Sequence, residues 1–92
     1  MPSYLVETYL ARGRAGERSA RERRARSAAA ELTQEDVPVG FERSIHVPED
    51  EICFFLFEAP SGSIAALVAE RTGLDAIRVV EAVASGRSKA KQ

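Results

Sequence analysis

EICFFLFEAP, residues 51–60, contains six consecutive apolar residues between two glutamates. Successive side chains of a β-strand point to opposite faces of the sheet, so a strand here carries two apolar rows. One row consists of Phe54 and Leu56, and the other of Cys53, Phe55 and Phe57. A strand that is apolar on both faces indicates the centre of a sheet that is covered on both sides.

The segments on either side of this stretch predict the order βαββαβ. Strands are indicated by branched and aromatic residues with period two, and helices by Ala-, Arg- and Glu-rich segments that lack proline. The strands are expected at residues 3–10, 40–47, 51–58 and 77–83, and the helices at residues 16–33 and 60–73. Ser61 or Ser63 is a candidate cap of the second helix, and Gly73 is suited to end it.

This order is typical of the ferredoxin-like α+β fold, a four-stranded antiparallel sheet with two helices on one face. The third strand is then central, with one row under the helices and the other on the helix-free face. Monomers rarely expose so large an apolar patch. We therefore expect Phe55 and its row to be covered by a second copy, which gives a homodimeric α+β barrel with a ligand cavity between the two sheets.

Length and composition predict one folded domain. A chain of 92 residues cannot support two separate cores, and its 45% hydrophobic and 29% charged residues argue against disorder. We expect a domain over residues 1–84 and a polar, basic tail over residues 85–92. The start lacks the pattern of a secretory signal, and no apolar run approaches the ~20 residues of a membrane span, so we expect a cytoplasmic protein without a membrane partner.

Charge is distributed unevenly along the chain. Residues 1–30 carry seven Arg and three Glu, whereas residues 31–60 carry eight acidic residues and one Arg. Such asymmetry can mark a nucleic-acid surface, but within one small fold it more often reflects pairing inside the molecule or between subunits. We therefore do not expect nucleic acid to be the partner.

Polar residues on the expected strands are candidates for the lining of the cavity. Period two places Glu42, Ser44 and His46 together on one face of their strand. The candidate cavity-lining residues are Glu7, Tyr9, Ser44, Phe55, Arg78 and Glu81.

Imidazole, thiolate and carboxylate groups suit a borderline divalent metal such as nickel or zinc, so His46, Glu42 and Cys53 are the candidate metal ligands. Structural roles compete with these functional ones. His46 fits an ordinary hydrogen-bonded strand residue, Glu7 and Glu81 fit arginine partners, and the lone Cys53, which excludes an internal disulfide, fits a small buried apolar residue.

Three segments of the chain resemble one family: VETYLARGRAG (6–16), FERSIHVPEDEICFFLFEAPS (41–61) and RTGLDAIRVVEAV (71–83). They are similar to small actinobacterial nickel-binding proteins, a family defined by a domain of unknown function. The resemblance implies a ferredoxin-like fold, a homodimer and nickel as the bound metal. Members often carry a histidine in the second helix, where this chain reads IAALVAERTGL (64–74) and has none. Nickel binding would then depend on His46, Cys53 and carboxylates.

Two functions of different classes follow. The first is a small homodimeric binding protein of unknown physiological role that holds a divalent metal or a small ligand between two sheets without catalysis. The alternative is a cofactor-free dimeric α+β barrel enzyme, similar to monooxygenases or polyketide cyclases, that uses His46 with Glu7, Glu42 or Tyr9 as acid and base. No glycine-rich phosphate loop, nucleophile elbow or paired-cysteine motif is present, so nothing in the sequence demands an enzyme.

Overall fold

The computed structural model describes residues 1–83. Within them the elements follow in the predicted order βαββαβ, joined by short 3₁₀ segments at Arg12–Glu17 and Pro48–Asp50. The strands are β1 (Ser3–Tyr9), β2 (Gly40–Val47), β3 (Ile52–Glu58) and β4 (Ala76–Ala82), and the helices are α1 (Arg18–Gln34) and α2 (Gly62–Thr72). The predicted tail over residues 85–92 lies outside the described residues.

The four strands form one antiparallel sheet in the order β2-β3-β1-β4. The helices contact each other; α1 packs on β2, and α2 on β1 and β4. We call the side of the sheet beneath the helices the helix face and the opposite side the open face. This arrangement is the ferredoxin-like α+β fold, and the prediction of fold class is confirmed.

Both helices present small residues to the sheet. α1 buries Ala25, Ala28, Ala29 and Leu32, which are the i, i+3, i+4 and i+7 positions of one helical stripe. α2 likewise buries alanines, and it begins at Ser61, whose Oγ accepts a hydrogen bond from the Ile64 N–H at 3.3 Å. It ends at Gly73, whose φ of 84° lies in the left-handed region that favours glycine. Small side chains let the helices lie close to the aromatic rings below them.

The row assignment for β3 is wrong. Phe55, Cys53 and Phe57 each have 0% exposure and lie beneath the helices, whereas Phe54 and Leu56 lie half-buried on the open face. The reason is the register with β1, where Val6 pairs with Phe55 and brings it to the side on which Val6 is buried. A second copy is therefore not what covers Phe55.

Two register shifts interrupt the alternation of the outer strands. In β2 the shift lies between Phe41 and Arg43, and in the β1–β4 pair it lies between Glu7 and Thr8. Phe41 consequently faces the helices, where its ring stands 5.4 Å from that of Phe57. Each bulge changes which side chains share a face of the sheet. The set of side chains on the open face therefore depends on both bulges.

Candidate functional site

The helices leave the open face of the sheet uncovered, and large apolar side chains lie on it. Strand register places side chains of all four strands on it. Its apolar residues, which we call the open-face patch, are Leu5, Ile45, Val47, Ile52, Phe54, Leu56 and Val80. Ile45 is 46% exposed, and the other six are half-buried among their neighbours in the sheet.

Charged and polar groups flank this patch on β1 and β4. Arg78 Nε donates to Glu7 Oε1 at 2.9 Å, and the Glu7 side chain is only 20% exposed against 65% for Arg78. At the end of β1, Tyr9 is 57% exposed and its hydroxyl lies 3.5 Å from a carboxylate oxygen of Glu51. The open face therefore combines an apolar centre with an ion pair and a phenol at one side.

Three of the six predicted cavity residues lie together on the open face, namely Glu7, Tyr9 and Arg78. The other three do not. Phe55 is buried under the helices, as described above. Ser44 pairs with Phe55 in the sheet and donates from its Oγ to Glu22 of α1, which places it on the helix face as well. Glu81 pairs with Tyr4, whose ring approaches Gly62 of α2, so Glu81 also belongs to the helix side.

The predicted metal ligands His46, Glu42 and Cys53 are divided between the two faces. His46 pairs with Cys53 on the helix face, while Glu42 accepts a hydrogen bond at 3.1 Å from Ser3 Oγ on the open face. This separation follows from the bulge in β2, because unbroken alternation would have kept Glu42 on the side of Ser44 and His46. Within residues 1–83, no group of three His, Cys, Asp or Glu side chains could hold a metal ion.

The surroundings of Cys53 also disfavour a bound metal ion, whereas the contact of His46 with a backbone carbonyl is compatible with one. His46 Nε2 lies 3.3 Å from the carbonyl oxygen of Leu10. Burial raises the pKa of the Cys53 thiol above its ordinary value of 9.0, against the opposing effect of nearby Arg18 and Arg21. A metal needs the thiolate form, which this environment disfavours. Within residues 1–83 of one chain, the three predicted ligands do not lie on one face of the sheet.

The proposed acid–base pairs of the alternative enzyme are separated in the same way. His46 lies on the helix face, whereas Glu7, Tyr9 and Glu42 have their side chains on the open face. A general base and its partner must lie within hydrogen-bond reach of one substrate. In a single chain, His46 and these three residues are on opposite sides of the sheet.

Most residues of the open-face patch are not among the residues predicted for the site. Ile45 and Val47 alternate in β2 and could have been grouped with Leu56 and Phe54, but the choice of the wrong row of β3 prevented this. Arg21 and Arg24, which line a cleft beside α1, are also absent from the predicted set. They appeared only as members of an arginine-rich helix, and no local signal distinguishes them.

The order of the strands and the position of both helices on one face define the class of protein: the chain is a ferredoxin-like α+β protein. Comparison with known proteins agrees. A crystal structure of SCO4226 from Streptomyces coelicolor A3(2) superposes with a TM-score of 0.67 and 23% sequence identity, over 91% of this chain and 99% of that one. At this identity the similarity shows the fold alone.

No family model matches the chain, and no curated protein matches it. Across residues 1–83, neither helix combines the length and the hydropathy that crossing a bilayer requires.

Proposed function

We propose that the protein is a homodimeric binding protein whose two sheets pack together through their open faces and hold a small ligand between them. The observation that carries this proposal is the central row of β3 on the open face. Ile52, Phe54 and Leu56 are all large and apolar, and none of them is covered by α1 or α2.

The size of the patch supports a partner. The face of the sheet that carries the patch, four strands about 4.8 Å apart and seven residues long, spans roughly 19 Å by 23 Å. Exposed apolar patches of more than a few hundred Å² mark interaction surfaces on most folded monomers. The same surface on both copies is self-complementary, which is the requirement of a twofold dimer. A second copy is therefore the simplest partner, because it requires no other protein.

The twist of the sheets indicates where a ligand fits. Two twisted sheets that pack face to face meet closely at the centre and diverge toward their corners, about 10 Å apart on average. Glu7, Arg78 and Tyr9 flank the apolar centre. We propose a ligand with an apolar body, which contacts the open-face patch, and one polar group, which reaches the Glu7–Arg78 pair.

The dimer is tested by sedimentation of the wild-type protein and two variants at tens of micromolar. Ile45→Glu places a charge in the patch at a position that a single chain leaves 46% exposed, so the fold tolerates it. Ala30→Glu is the charge-matched control, because Ala30 is exposed on α1. We expect the wild type and Ala30→Glu to sediment at twice the chain mass of 10.0 kDa and Ile45→Glu to dissociate. A monomeric wild type would refute the proposal.

The ligand is tested with laurate, which joins an apolar chain to one carboxylate. Titration followed by ¹H–¹⁵N NMR is expected to shift residues of β1 and β4 around Glu7 and Arg78, and Arg78→Gln is expected to weaken binding. Shifts confined to the helices, or no saturable shift, would reject the ligand site while leaving the dimer intact.

A further inference from the structure

A second site lies outside the open-face patch. A cleft of about 540 Å³ opens between the end of β1, the first turns of α1 and the connection from α2 to β4. Its walls include Tyr9, Arg21, Arg24, Leu74, Asp75 and Ile77. We call it the Arg24 cleft.

The cleft exists because the β1–β4 ladder is interrupted beside it. Glu7 pairs with Arg78 and Thr8 with Ala76, so Ile77 is the extra residue of a bulge. Ile77 is 57% exposed, whereas Leu74 at the base of the connection is only 8% exposed. The bulge and the turn at Gly73 hold the start of β4 away from α1, which leaves a gap with two apolar side chains on one wall.

Two guanidinium groups are held in this gap by backbone carbonyls of different elements. Arg21 Nη1 donates to the Tyr9 carbonyl at 3.1 Å, and Arg24 Nε donates to the Thr72 carbonyl at 3.2 Å. Positions three apart lie on one face of a helix, so both groups reach the same side of α1. A guanidinium has five N–H donors. Each arginine is therefore anchored and still has donors to offer.

The lining of the cleft carries two arginines, Arg21 and Arg24, and two acids, Glu17 and Asp75, and the segment that forms its α1 side is rich in arginine. Between residues 12 and 26 the chain carries seven Arg and two Glu. The Glu17 carboxylate forms ion pairs with Arg14 Nε at 2.6 Å and with Arg21 Nη2 at 3.4 Å. Arg24 has no carboxylate oxygen within 4.0 Å among residues 1–83. Asp75, the other acid that lines the cleft, forms no ion pair within residues 1–83. Its negative charge disfavours binding of an anion.

We propose that the Arg24 cleft binds a small organic oxyanion, a carboxylate or a phosphate monoester, with Arg24 as the principal ligand and Arg21 as the second. Planar guanidinium groups donate two parallel hydrogen bonds to such anions, and the bonds are stronger than those between neutral groups. Leu74 and Ile77 contact the apolar part of the molecule. The two arginines of this site lie outside the open-face patch, and Tyr9 borders both sites.

The test is NMR titration of the full chain at constant ionic strength with inorganic phosphate and, separately, with succinate. We expect saturable shifts with millimolar Kd at the amides of Tyr9 and Gly73–Ile77. Saturable binding of either anion at these amides supports the proposal: phosphate alone assigns phosphate as the preferred chemistry, and succinate alone assigns carboxylate. Saturable binding of neither anion, or shifts away from these amides, would overturn it.

Variants separate the cleft from general electrostatics. Arg24→Gln is expected to weaken binding at least about tenfold, the effect of losing one charge-assisted contact. Arg23→Gln removes the same charge one residue away, at a side chain that lies outside this cleft, and is expected to change affinity less than about twofold, in line with an exposed charge. Asp75→Asn is expected to strengthen binding about threefold through removal of a like charge. Equal losses for the Arg23 and Arg24 variants would refute a defined site.

Discussion

Phe54 and Phe55 are adjacent, chemically identical and on opposite faces of β3, so they offer a direct test of which row forms the core. Phe55 is 0% exposed, with its ring 6.1 Å from that of Phe41, and Phe54 is half-buried on the open face. We predict that Phe55→Ala destabilises a single chain much more than Phe54→Ala. Both changes are made in the Ile45→Glu background, so that loss of a dimer does not contribute to the measured stability.

The expected magnitudes follow from burial. Truncating a fully buried Phe to Ala costs about 3–5 kcal/mol, because the transfer free energy is lost and a cavity remains. Truncating Phe54 to Ala leaves no enclosed cavity and removes only part of the apolar contact area. At ~25 cal/mol per Å², this loss costs about 1 kcal/mol. A chain of this length has a free energy of unfolding of roughly 5–14 kcal/mol. Phe55→Ala therefore removes a large fraction of the total stability.

Urea unfolding followed by circular dichroism measures the difference. With a denaturant slope of about 1.5 kcal/mol per M, the midpoint falls by roughly 2–3 M for Phe55→Ala and by less than about 1 M for Phe54→Ala. Equal midpoints, or a larger loss for Phe54→Ala, would show that the rows are assigned to the wrong faces. That result would also remove the basis of the proposed dimer.

Two further predictions concern single side chains. Ser61→Ala is expected to lower the free energy of unfolding by about 1 kcal/mol, because it removes the hydroxyl that accepts a hydrogen bond from the Ile64 N–H. Ser63→Ala changes an exposed position and is expected to leave the urea midpoint nearly unchanged. Equal effects of the two variants would contradict the capping role of Ser61. For Cys53, burial raises the folded-state pKa above 9.0, so the stability that this thiol contributes is fully present below that pH and is lost as pH rises through the folded pKa. Thermal unfolding between about pH 8 and pH 10.5 is thus expected to show a steeper loss for the wild type than for Cys53→Ala, and parallel curves would speak against it.

Element order and type could be predicted because they depend on local features of the chain. The Ala-rich stripe of α1 is a local pattern that the structure reproduces, and β2 forms over the expected residues, Gly40–Val47. Gly73 ends α2 where expected, since only a residue without a Cβ adopts its left-handed φ at no steric cost. These features required no knowledge of the tertiary contacts.

Alternation alone could not predict which side chains lie together on each face of the sheet. A bulge adds one residue to a strand and reverses the facing of everything beyond it, and no residue in GFERSIHV marks where that happens. For this reason Glu42 was grouped with His46 although the sheet lies between their side chains. This one register shift separates the Glu42 side chain from those of His46 and Cys53, which lie on the helix face.

The sequence by itself determined that β3 has two apolar faces, because period two and six consecutive apolar residues leave no other outcome for a strand. Only the tertiary structure decided that Phe55 is core and Phe54 is surface, because that choice depends on the register with Val6 of β1, which is 49 residues away along the chain. The Arg24 cleft depends on the same kind of information. Its two arginines become neighbours of Leu74 and Ile77 only when α1 packs beside the start of β4.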